Sequence, residues 1–133
     1  MLPFTIALKA GESPYRQVVY AATKAVVSGE LPAGSAFPSV RELSQALKIN
    51  PNTAQKVIAE LVRDGLIEVR PGIGTVVVST RRATAGERRT LLSSDVEQLV
   101  VEAKRLGLKR SDVVNAVTEC WSGLFGDERD ATR

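Results

Sequence analysis

SVRELSQALKINPNTAQKVIAELVRDGLIEVRPGIGT, residues 39–75, is the stretch on which the fold turns. It opens on Ser39 with Glu42 three positions later. In that pairing the hydroxyl accepts from the third helical N–H while the carboxylate accepts from the serine's own N–H. Val40, Leu43, Ala46 and Leu47 follow at helical spacing, which predicts a short helix with these four on its apolar face. Only Lys48 and Ile49 separate it from Asn50-Pro51, a second cap with proline at the first helical position. A third helix runs through Val57, Ile58, Leu61 and Val62 to Asp64, and Gly65 ends it. Two short helices joined by so tight a turn must cross steeply, which is helix-turn-helix geometry. Residues 66–70, the turn Pro71-Gly72-Ile73-Gly74 and residues 75–78 then read as strand, glycine turn and strand, a β-hairpin or wing.

Upstream, Ser13-Pro14 opens a helix carrying Tyr15, Val18, Val19, Ala22, Ala25 and Val26, stopped by Gly29. Leu31-Pro32-Ala33-Gly34 reads as a turn-rich connector. Downstream, residues 80–82 read as a linker, and Thr84 with Glu87 forms another capping box. A long helix over 85–106 follows, with Leu91, Leu92, Val96, Leu99, Val100, Ala103 and Leu106 on one side. Ser111 is expected to cap a last helix to residue 125, bearing Val113, Val114, Val117, Cys120, Trp121, Leu124 and Phe125. Residues 126–133 form a charged tail expected to fray. The expected class is therefore mainly α with a small β-hairpin. A winged helix-turn-helix over 1–79 precedes a two-helix dimerisation hairpin over 80–133, which is also where an effector would be sensed.

Composition narrows the chemistry. With 44% hydrophobic and 25% charged residues the 133-residue chain is of ordinary globular type. It has no histidine, which removes the commonest general base and metal ligand, and its one cysteine rules out thiolate clusters. No enzyme, metal or cofactor is expected. No apolar run approaches the ~20 residues of a membrane span, and the N-terminus lacks the pattern of a secretory signal, so no membrane partner is expected. An unpaired cysteine suits a reducing cytoplasm. The net charge of +3 permits a polyanionic partner without demanding one. Lys and Arg outnumber Asp and Glu by eight to six up to Thr80 and by ten to nine after it, so the excess is thinly spread.

The ordered signatures Ser28-Gly29-Glu30-Leu31, Pro38-Ser39-Val40-Arg41-Glu42-Leu43, Asn50-Pro51-Asn52-Thr53, and Asp64-Gly65-Leu66-Ile67 leading to Gly72-Ile73-Gly74-Thr75 closely resemble the N-terminal domain of GntR-family regulators. The Pro14-Tyr15-Arg16-Gln17 opening fits as well, and the match covers roughly residues 13–78. The 55 residues after Val78 are too few for the family's larger effector domains. A helical pair after the wing is similar to the small YtrA-like branch, whose C-terminal helices chiefly pair two subunits and whose members often repress. The resemblance implies a bacterial, DNA-binding regulator acting as a homodimer on double-stranded operator DNA.

A helix in the major groove uses the side chains near its N-terminus. Here these are Asn50, Asn52, Thr53, Gln55 and Lys56. Asn and Gln can bond adenine edges, Thr offers a hydroxyl and a methyl, and Lys reaches guanine or phosphate. Asn50 also has a cap to provide, and that is expected to be its main role. The resemblance adds Arg41 as a DNA-contacting arginine. Ser39 could reach a phosphate besides capping, and Arg70 with the backbone of Gly72 are wing candidates. The pattern departs from the family in two places. Ile73 stands between the wing glycines where a cation is common, and the start of the third helix has Pro51 and no arginine. Phosphate attraction should be correspondingly weak, with fewer than ~10 counterions released per dimer.

The two C-terminal apolar stripes are too wide for a helical hairpin to hide alone, and a second copy supplies the missing surface. Leu92, Leu99, Val100, Leu106, Val114, Val117, Trp121 and Leu124 are the candidates for hairpin core or dimer seam. Cys120 and Trp121 read first as core residues, with a small-molecule effector pocket as the alternative. The rival reading of the whole chain is a winged-helix module that binds protein. Its third helix should then begin apolar and aromatic, not polar.

Overall fold

The structure, a computed structural model, describes residues 2–78 and 84–126 and divides into two compact units, Met1–Arg81 and Arg82–Arg133. The linker expected at 80–82 and the tail beyond Gly126 lie outside the described residues.

The first unit contains α1 (Pro14–Val27), α2 (Val40–Leu47), α3 (Pro51–Arg63), β1 (Ile67–Arg70) and β2 (Gly74–Val77). Each helix starts where its cap stands. Ser13 Oγ accepts the Arg16 N–H at 3.3 Å, and Asn50 Oδ1 accepts the Asn52 N–H at 2.7 Å. The box at α2 is complete in both directions, Glu42 N–H to Ser39 Oγ at 3.1 Å and Ser39 N–H to Glu42 Oε1 at 2.9 Å. α2 and α1 both pack on α3, and the buried Leu43, Val18, Ala22, Ala54, Val57, Ile58 and Leu61 form the shared core. Two of the apolar positions expected inside lie outside. The core stripe of α3 runs through Ala54, Val57, Ile58 and Leu61, and Val62, a further 100° round the helix, is exposed. Ala46 likewise falls beyond the arc of α2 centred on Leu43.

Tyr15 fastens α1 to α3, its hydroxyl donating to Glu60 Oε1 at 3.1 Å. Burial of the phenol, and then this bond to a carboxylate, hold the Tyr15 pKa above its ordinary value. The hairpin pairs Ile67 with Val77 and Arg70 with Gly74, antiparallel. Its inner residues Ile67 and Val77 complete the core.

Two elements of this unit go beyond the sequence reading. The segment before α2 is a third, short line of the sheet. Gly34 N–H reaches Val77 O at 2.7 Å, Val77 N–H reaches Ser35 O at 2.8 Å, and Phe37 N–H reaches Thr75 O at 2.8 Å. The N-terminal residues are packed as well. Phe4 is buried and its ring stacks on Phe37 at 5.8 Å between centroids and 11° between planes. Gln17 holds the same segment from α1, accepting the Lys9 N–H at 2.7 Å and donating to Lys9 O at 3.1 Å.

The second unit contains α4 (Ala85–Thr90), a π-helical turn (Leu91–Asp95), α5 (Val96–Arg105) and α6 (Arg110–Phe125). Thr84 and Glu87 form the expected box at 3.1 and 2.8 Å. The long helix expected over 85–106 is thus interrupted. Ser93 and Ser94 hydroxyls donate to the carbonyls of Arg89 and Thr90. Those carbonyls are four residues back, so the side chains compete for the backbone acceptors and the ladder widens. Val96 N–H accordingly reaches Leu91 O, five residues back. The last helix also starts differently from expectation. Its cap is Lys109, whose N–H donates to Asp112 Oδ2 at 2.8 Å, so a carboxylate at the third position sets the start in place of Ser111.

Candidate DNA-binding face

α3 rests on the core through Ala54, Val57, Ile58 and Leu61, which fixes which side chains its first two turns present outward. Asn50, Asn52, Gln55 and Lys56 are exposed, and Thr53 is half-buried at the edge of the packed face. Asn50 is committed to its cap through Oδ1. α2 positions Arg41 and Ser39. Arg41 is exposed and makes no ion pair among the described residues, whereas Ser39 Oγ is already occupied by the Glu42 N–H. The Ser39 backbone N–H, and then its side chain, hold the Glu42 carboxyl below the usual carboxylate range. That keeps it ionised at the helix start, where negative charge complements the dipole.

The hairpin places Arg70 and Gly72 at its tip. Arg70 Nε donates to Glu68 Oε1 at 2.7 Å, so this wing cation is engaged within its own strand. Gly72, at φ +78°, has open space where a Cβ would stand. Of the nine predicted DNA-binding residues, five therefore gather on the start of α3, two on the start of α2 and two on the hairpin. Sequence reasoning could not see the Arg70–Glu68 pair, although alternate residues on one strand face the same side and made it available.

In the second unit the candidate seam residues Leu92, Leu99, Val100, Leu106, Val114, Val117 and Trp121 are all exposed, and Leu124 is half-buried. Ala103 is the one buried residue of this unit among those described. Cys120 and Trp121, read first as core, are exposed, because two helices have no third layer to enclose the outer face of α6. Trp121 keeps one ring neighbour, Phe125, edge-on at 5.4 Å. Between α5 and α6 lies a groove of about 640 Å³, whose lining includes Val96, Val100, Ala103, Lys104, Lys109 and Val113. Among the described residues no helix is long and apolar enough to cross a membrane, and no cluster of metal-ligating side chains exists.

A tight helix pair with a polar leading turn, followed by a hairpin, is the winged helix-turn-helix arrangement of DNA-binding transcription regulators. Likeness to known proteins carries this further. Residues 14–77 match the profile of bacterial regulatory proteins of the gntR family. The chain is 33% identical to the uncharacterized HTH-type transcriptional regulator YhcF of Bacillus subtilis, covering 69% of this chain and 76% of that one. It is 28% identical to the HTH-type transcriptional repressor YtrA of the same organism, covering 87% and 90%. A crystal structure described as a transcriptional antiterminator from Listeria monocytogenes superposes with a TM-score of 0.78 at 25% identity, over 97% of both chains. The chain belongs to the GntR family, in its small YtrA-like branch, and is a regulator, not an enzyme.

Proposed function

We propose that the chain is a cytoplasmic repressor that binds a palindromic operator as a homodimer, with α3 of each subunit in the major groove. The observation that carries the DNA reading is the leading end of α3. Asn52, Gln55 and Lys56 are exposed and uncommitted there, on a helix whose opposite side is locked into the core. A protein-docking helix would instead present an apolar centre. Arg41 and Lys56 then supply the phosphate or guanine contacts, while Asn52, Thr53 and Gln55 read base edges.

The pairing is supported by the second unit, whose apolar residues face solvent along both helices. Such a face asks for a matching surface, and a two-fold axis offers the same face in return. The repressor assignment rests on the likeness to YtrA. An effector able to loosen the dimer would act on this unit, in the apolar groove between α5 and α6.

Selection from a random duplex pool, followed by fluorescence anisotropy on the selected sequence, tests the reading. The selected site should be an inverted repeat. Asn52→Ala and Gln55→Ala should each cost about 1–3 kcal/mol and relax preference at one position per half-site. Arg41→Ala and Lys56→Ala should weaken all sequences alike and reduce the salt slope by about 1 where the lost contact is to phosphate, and relax preference at one position where it is to guanine. A wild-type chain that enriches no sequence overturns the DNA reading.

A further inference from the structure

The turn between α5 and α6 gathers positive charge where helix electrostatics does not call for it. Lys104 and Arg105 close α5, where cations complement the C-terminal end of the helix dipole. Arg105 is also held by Glu102, its Nε donating to Oε1 at 3.0 Å. Lys109 and Arg110 stand at the opposite kind of end, the cap and first position of α6, where the dipole disfavours positive charge. The nearby Asp112 carboxylate is bonded to the Lys109 N–H at 2.8 Å. Lys104, Lys109 and Arg110 are exposed and make no ion pair among the described residues.

All three cations line the groove between α5 and α6, together with Val96, Val100 and Val113. Among the described residues no carboxylate lines it, whereas the cavities lined by Leu2 or Ile6 in the first unit include Glu42 or Glu30. Val96, Val100 and Lys104 follow one another at four-residue spacing on one face of α5. Val96 therefore stands about 12 Å along the axis from Lys104, at ~1.5 Å per residue. The lining is thus apolar from the start of α5 and cationic at the turn. Its volume of about 640 Å³ is of the size that holds a small molecule.

We propose that this groove takes a small, free amphipathic anion. Its apolar body lies against Val96, Val100 and Val113, and its carboxylate or phosphate head sits among Lys104, Lys109 and Arg110. The head supplies the negative charge that the start of α6 lacks, and the body covers Val96 and Val100, which are exposed in the single chain. The inference gives a chemistry to the effector groove proposed above and rests on that reading for its effect on DNA. Val100 and Val114 belong both to the groove and to the candidate dimer seam, so a bound molecule changes the surface offered to a second copy.

Calorimetry on the full chain tests it with two probes. Decanoate has an extended chain matching the span from Val96 to Lys104, and 1-decanol keeps that body without the charge. Decanoate should bind about tenfold tighter, because the alcohol makes no charge-assisted bonds. Added salt should erode that preference and leave decanol binding unchanged. Lys109→Gln combined with Arg110→Gln should abolish most of the preference, again without moving decanol. The same double variant without ligand should melt no lower than the wild type, since it removes cations from the disfavoured end of α6. Val96→Asn should weaken both probes alike. Equal affinities for the two probes overturn the anionic head and leave the effector reading standing. Decanoate that binds as proposed, yet changes neither sedimentation nor operator affinity, upholds the ligand class and overturns the effector reading. Failure of both probes to bind overturns the groove as a small-molecule site. Pelleting of the chain with phosphatidylglycerol vesicles, without binding of free decanoate, overturns it in favour of a lipid surface.

Discussion

Ser39 and Glu42 show how far a single pair of residues can be read from the sequence. Their spacing alone announced the start of α2, and both hydrogen bonds are present. The electrostatic consequence follows from the same contacts. With the Ser39 N–H, and then its hydroxyl, as the causes, Glu42 titrates below its ordinary value in the folded chain. A depressed carboxyl contributes stability that is fully present above its unfolded pKa and is lost as pH falls through the folded one. The box should therefore hold at neutral pH and fail only on the acid side of the usual glutamate range. Carboxyl ¹³C shifts followed against pH should give Glu42 a lower midpoint in the native protein than in the same protein unfolded in urea. Equal midpoints would mean that the box does not persist in solution. Arg70 marks the opposite case. As a letter in the sequence it is a wing cation, yet its bond to Glu68 depends on which rotamers the hairpin leaves open, and the spacing is silent on that.

The helices of the first unit were legible because each is marked at both ends by residues with local physical roles. What was missed depends on distant partners. Ser35 and Phe37 gain a sheet only because Val77 and Thr75 pass beside them, some forty residues later. Phe4 gains a core only because Phe37 is there to stack on. An alternation of Phe4, Ile6 and Leu8 was the available signal, too short to separate from chance. The turn between α2 and α3 hides a further cost. Lys48 ends α2 at φ +55° and ψ +45°, left-handed for a residue that has a Cβ. Its N–H and that of Ile49 both close onto Ser44 O, the second at 3.1 Å, so this conformation is what turns the chain into α3. Lys48→Gly should remove the steric penalty and stabilise the first unit by up to about 1 kcal/mol, more than Lys48→Ala, which keeps the Cβ. Urea unfolding followed by circular dichroism measures both. A glycine variant less stable than the alanine one would show that the turn carries no such strain.

At the scale of the whole molecule the open matter is what covers the second unit. Its π-helical turn came from Ser93 and Ser94, which propensity treats as mildly unfavourable helical residues and not as ladder breakers. Its exposed valines and leucines were legible as stripes, but a stripe does not say which surface it meets. The lone tryptophan of the chain gives a direct answer, because Trp121 lies on α6, 48% exposed in one copy. If two copies meet along α5 and α6, the indole passes from water into an apolar seam. Its emission should then shift to the red on dilution, over the same concentrations at which sedimentation shows dimer giving way to monomer. Leu99→Glu or Val117→Glu places a charge in that seam, where burial without a partner is strongly opposed. Either variant should sediment as a monomer with a red-shifted indole at every concentration. It should also bind the full operator more weakly, by a factor on the order of 10²–10⁴, because the second half-site is no longer presented at high effective concentration. Affinity for an isolated half-site should stay unchanged, since nothing in the first unit has been altered. A dimer whose indole emission ignores dilution would move the seam off α6. A wild type that sediments as a monomer at micromolar concentration would leave each α3 to read its few base pairs alone.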